Sequence, residues 1–77
     1  MTTLNIIGDG DFNVLYKDGA LLVYGKSDHV DAETLHYVLP LVLPEAEVSY
    51  TYMPICDILQ GDAPPQELTT LMVMADA

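Results

Sequence analysis

The segment Phe12–Tyr24, FNVLYKDGALLVY, constrains this chain more than any other. Two apolar runs rich in β-formers flank Lys17-Asp18-Gly19. Glycine takes the positive φ of a tight turn without steric cost, so Asp-Gly between alternating hydrophobic runs is a strong hairpin signal. Strand periodicity then puts Phe12, Val14 and Tyr16 on one face of the first strand, and Leu21 and Val23 on one face of the second. Upstream, Thr2–Ile7 is β-prone, with Leu4 and Ile6 alternating against Asn5. Gly8-Asp9-Gly10-Asp11 permits a tight reversal into the hairpin. Residues 1–25 therefore read as a three-stranded antiparallel meander ending at Gly25.

Such a meander persists only if something covers its apolar face. Ser27-Asp28-His29-Val30-Asp31 is rich in capping side chains, and Asp31 or Ser27 can accept the first free N–H groups of a helix. Asp28, Asp31 and Glu33 suit the positive end of its dipole. Val30, Leu35, Val38 and Leu39 recur at helical spacing, which predicts a helix over Asp31–Leu39 lying on the sheet. Pro40 removes a backbone donor and should end or kink it, leaving Leu41–Leu43 as a buried connector closed by Pro44. Ala46–Met53 alternates as a fourth strand, with Val48, Tyr50 and Tyr52 on one face and Glu47, Ser49 and Thr51 on the other. Pro54 stops it. Ile55–Gln60 reads as one helical turn, and Asp62-Ala63-Pro64-Pro65 as a second helix start. For residues 66–74 helix and strand both remain open, helix being favoured by Leu68, Leu71 and Met72. The predicted fold is α+β, a small antiparallel sheet of three to four strands with one main helix on one face, in a single domain spanning residues 1–77.

With 77 residues the core is modest, and Cys56, the only cysteine, excludes an internal disulfide. A lone cysteine and the absence of a recognisable signal peptide predict a cytoplasmic setting. The longest apolar stretch, Tyr37–Pro44, is too short to span a bilayer. Charge is the unusual property: 12 acids face 2 lysines and no arginine, for a net charge of −10. Such a chain repels phosphate backbones and anionic membrane surfaces, which argues against direct nucleic-acid or membrane binding. A basic protein surface attracts it. Simple solubility accounts for the same acids.

The motifs that suggest catalysis or metal binding are incomplete. Asp9-Gly10-Asp11-Phe12-Asn13 opens like a calcium loop, but Val14 and Ala20 stand where that loop needs Gly and Glu. His29, Glu33 and His36 would share one face of a helix beginning near Asp28, a weak zinc pattern without cysteine. Cys56 has no cation nearby in sequence and reads as a small buried hydrophobe. The carboxylates are dispersed, whereas tuned acid–base pairs need a shared cleft. No phosphate-cradling glycine loop is present. No enzyme, cofactor or metal site is expected. The tyrosines Tyr16, Tyr24, Tyr37, Tyr50 and Tyr52 fit either core packing or an interface.

The segment GDGDFNVLYKDGALLVYG resembles openings of small bacteriophage proteins. In size, acidity and lack of arginine the chain is similar in character to phage-encoded inhibitors such as anti-CRISPR proteins and uracil-DNA glycosylase inhibitors. That resemblance, which aligns no contact residues, implies a DNA mimic that occupies a basic groove. The function expected is a non-enzymatic module masking a basic, nucleic-acid-binding site on a partner protein. Asp9, Asp11, Asp18, Asp28, Asp31 and Glu33 would form one negative face, with Tyr50 and Tyr52 as aromatic contacts. The alternative is a structural protein, possible as a homodimer, that self-associates through the Tyr-bearing sheet edge.

Overall fold

The computed structural model describes residues 1–76. Three strands, β1 (Thr3–Gly8), β2 (Phe12–Lys17) and β3 (Ala20–Lys26), form the expected meander. At the β2–β3 turn Asp18 and Gly19 both have positive φ, 52° and 84°, the signature of a type I′ hairpin turn. Helix α1 (Ala32–Val42) follows, then β4 (Glu47–Tyr52) and two further helices, α2 (Ile55–Leu59) and α3 (Leu68–Asp76). The strand order is β3-β2-β1-β4, and the α+β class stands.

In finer detail the sheet is not all antiparallel, because β4 pairs with β1 in parallel. β3 ends beside the β1–β2 turn, and α1 carries the chain back to the other end. A helix of this length advances about 16 Å, close to the length of a six-residue strand. One such crossover returns the chain to the end where β3 began, so β4 must run in the same direction as β3 and β1.

Both faces of the sheet are covered. Leu4, Ile6, Leu15 and Ala32 make one buried cluster, against which Leu35, Leu39, Val48 and Tyr50 pack. Ile7, Val14 and Tyr16 face the other way and form a second cluster with Ile55 and Leu59 of α2 and Leu71 of α3. The single covered face of the sequence reading is thus half of the arrangement. The second half comes from the C-terminal segment, which Tyr16 holds by donating its hydroxyl to the Pro65 carbonyl at 2.9 Å. Burial pushes the Tyr16 phenol above its ordinary value.

Three local expectations are corrected. Leu21 and Val23 do not share a face: the register shifts between Leu15 and Tyr16, so Leu21 opposes Tyr16 while Val23 opposes Leu15, with Leu22 as the extra residue. Pro40 lies inside α1, which continues to Val42. In the last turn its missing N–H removes one bond, and the Leu43 N–H still reaches the Leu39 carbonyl at 2.8 Å. Leu41–Leu43 are accordingly not a buried connector but exposed. Finally, α3 starts at Leu68 and not at Pro64: Gln66 and Glu67 first run beside the start of β3, where the Leu21 N–H donates to the Gln66 carbonyl.

Candidate functional site

The sheet has two ends, and the acidic residues divide between them. At one end the β1–β2 turn is built by Asp9, whose Oδ1 accepts the N–H groups of Asp11 and Phe12, each at 2.9 Å. This is an Asx turn between strands, and it explains the D-x-D-x-N spacing without a metal. Those bonds, that of Phe12 foremost, hold the Asp9 carboxyl below its ordinary value. The loop from β3 to α1 packs beside this turn, with the Ser27 N–H donating to the Asp11 carbonyl. Asp31 caps α1 through bonds from the Glu33 and Thr34 N–H groups, as its sequence position predicted.

Asn13 ties these two loops together. It is fully buried, donates from Nδ2 to the Val30 carbonyl at 2.8 Å, and its Oδ1 fills the space where a side chain on Gly8 would stand. That Oδ1 has no hydrogen-bond partner among the described residues. Sequence reading missed Asn13 as an organising residue. A polar residue inside an otherwise apolar strand, opposite a glycine, was the available signal.

Asp28, Asp31 and Glu33 join Gly10 and Tyr50 around a shallow hollow of about 410 Å³. Asp28 and Asp11 also flank a recess with Phe12, Lys26 and Cys56. Tyr52 lies at this same end, opposite Gly8 in the β1–β4 register, and is 70% exposed. Of the residues singled out from sequence, Asp9, Asp11, Asp28, Asp31, Glu33, Tyr50 and Tyr52 are therefore brought together.

Asp18 is not. It sits at the opposite end of the sheet, where its carboxylate accepts the Thr3 N–H at 2.8 Å. The expectation of one face including Asp18 is corrected by topology: consecutive hairpin turns fall at opposite ends of a meander. Asp57 takes its place. Pro54 ends β4 at the acidic end, so α2 begins there and sets Asp57 beside Cys56, whose thiol also feels the charges of Asp9 and Asp11.

Cys56 is exposed, not buried. Desolvation against its neighbours, followed by the charge of Asp9, raises its thiol above the ordinary value, which favours the protonated, unreactive form. His29 precedes the cap residue Asp31 and so lies outside α1, which breaks the proposed His29–Glu33–His36 face. It sits 3.9 Å from Asp28, both side chains being exposed, while the His36 ring lies 6.4 Å from that of Tyr50 and is tilted by 48° to it. Among the described residues no three ligating side chains converge. No described helix is long and apolar enough to cross a membrane.

Comparison with protein-family models, with curated proteins and with solved structures finds no match to this chain.

Proposed function

We propose that this chain is a non-enzymatic binding module whose acidic end covers a basic, nucleic-acid-binding site on a partner protein in the cytoplasm. The observation that carries the reading is the gathering of Asp9, Asp11, Asp28, Asp31, Glu33 and Asp57 at one end, beside the lone cation Lys26. Exposed carboxylates that outnumber the cation beside them raise the negative potential there and steer a basic surface towards it. Tyr50 and the exposed Tyr52 add rigid aromatic area next to that charge. The inhibitor character of similarly acidic phage proteins fits the same reading. A second reading, self-association through the sheet edge, is supported by β4 being an outermost strand.

The test is retention of partner proteins from bacterial cytosolic extract on the immobilised chain, followed by a salt step. A stoichiometric partner released by salt, whose binding to double-stranded DNA the free chain inhibits, supports masking. Retention of no partner, or of one whose DNA binding is unaffected, contradicts it.

A further inference from the structure

The second half of α1 is apolar all round, yet only one side of it meets the sheet. Leu35 and Leu39 pack inward, while Tyr37, Leu41 and Val42 are 74%, 68% and 65% exposed, and Val38 and Leu43 are also exposed. A helix hydrophobic on every side belongs in an interior. Tyr37 with Leu41, and Val38 with Val42, are spaced four apart. They therefore line up as the adjacent ridges through which helices interlock.

We propose that a second copy of this chain covers this surface, with the two α1 helices packed antiparallel about a two-fold axis. Charge selects the occupant. The chain carries a net charge of −10, yet no acid lies between Glu33 and Glu45. Of the exposed apolar stretches free of charge, the others being Leu22–Tyr24 and Met72–Met74, that of α1 offers the most exposed large side chains. A basic partner gains nothing there. A second copy, bringing an equal negative charge, can approach closely only where acids are missing. Charge also selects the orientation: parallel packing would set Asp28, Asp31 and Glu33 against their counterparts, whereas antiparallel packing sends the two acidic starts to opposite poles, each meeting only the partner's Glu45 and Glu47. The β4 edge is a poorer self-docking surface, because Glu45 precedes the strand and Glu47 lies on it.

The area is sufficient for a reversible dimer. These five side chains offer on the order of 500 Å² per copy, about 1,000 Å² in all, which is the lower bound for a specific interface. The dimer would present two acidic ends facing away from each other. It does not depend on what those ends bind.

Light-scattering mass measured over a dilution series tests this. The 8.4 kDa chain should run at twice that mass when concentrated and dissociate on dilution. Added salt should strengthen the dimer by screening the repulsion between copies, the reverse of its effect on charge-driven partner capture. Leu41→Glu should weaken association roughly a hundredfold or more, by setting a charge pair at the two-fold interface, while far-UV circular dichroism stays unchanged. Tyr52→Glu, on the sheet edge, should leave the dimer intact. A monomer at every concentration, a dimer that survives Leu41→Glu, or one lost in Tyr52→Glu overturns the proposal.

Discussion

The two ends of the sheet are both built on Asp-Gly turns, Gly8-Asp9-Gly10-Asp11 at one and Lys17-Asp18-Gly19 at the other, yet they do different things. At the Asp18 end the chain is closed over. The Asp18 carboxylate takes the Thr3 N–H, the Gly19 carbonyl takes the Leu68 N–H, and Gln66 pairs with Leu21. At the Asp9 end, Asp9 and Asp31 hold the turn and the helix start, while no hydrogen bond ties down the Asp11, Asp28 or Glu33 side chain among the described residues. Charge density alone is therefore a poor guide to a site. An acid already engaged by backbone N–H groups is part of the scaffold, and the acids left over are those available to a partner.

This contrast yields tests of decreasing size. Gly8→Ala should be the most damaging, because a Cβ there meets the Asn13 Oδ1 and the Phe12 carbonyl, and backbone cannot yield. We expect a loss of about 3 kcal/mol in urea unfolding. Gly10→Ala in the same turn, with open space but a φ of 97°, should cost about 1–2 kcal/mol. Equal losses would mean that Asn13 does not lock this end.

Tyr16→Phe should remove about 1 kcal/mol by leaving the Pro65 carbonyl unpaired. It should also change the alkaline limb. The phenol's folded value lies above its ordinary 10.0, so the unfolded chain ionises first and stability falls as pH rises beyond that value. The Phe variant should lose that part of the decline in unfolding followed against pH.

The scaffold acids come next. Asp9→Ala, Asp18→Ala and Asp31→Ala should each cost about 1 kcal/mol, as lost caps and turn bonds do. The Asp9 contribution is present above its ordinary 3.8 and is lost as pH falls through its lower folded value. Asp11→Lys and Asp28→Lys should change stability least, within about 0.5 kcal/mol in the same assay. Glu33→Lys also sets a cation in the first turn of α1 and should cost about 1 kcal/mol through the helix dipole. If Asp11→Lys and Asp28→Lys cost as much as the scaffold acids, the distinction between the two sets fails.

Much of the fold was legible because local chemistry and tertiary need agree there. Asp18-Gly19 demanded a turn with positive φ, Asp31 stood where a cap was required, and the alternation of Val48, Tyr50 and Tyr52 against Glu47, Ser49 and Thr51 matches the register of β4 on β1. What escaped was set by distant parts of the chain. Pro40 reads as a stop, but in a last turn it removes too little to end a helix packed through Leu35 and Leu39. Leu22 bulges where β3 shifts register on β2, a displacement that alternation within β3 alone does not reveal. At the acidic end, most of the chosen residues converge because they occupy turns, caps or a strand terminus there. Asp18 was included although the expected meander already sends its turn to the end opposite Asp9 and Asp11, whereas Asp57 was overlooked because the end at which α2 starts depends on the direction of β4.

The central claim is that the free acids of one end, and not the net charge, make the binding surface. Retention of a salt-released partner from bacterial extract should be compared between the triple variant Asp11→Lys, Asp28→Lys, Glu33→Lys and the opposite-end triple Glu45→Lys, Glu47→Lys, Glu67→Lys, which changes the net charge equally. We expect the first to lose capture at low salt while the second retains it. Equal loss in both would reduce the acidity to a property of the whole molecule and contradict the account.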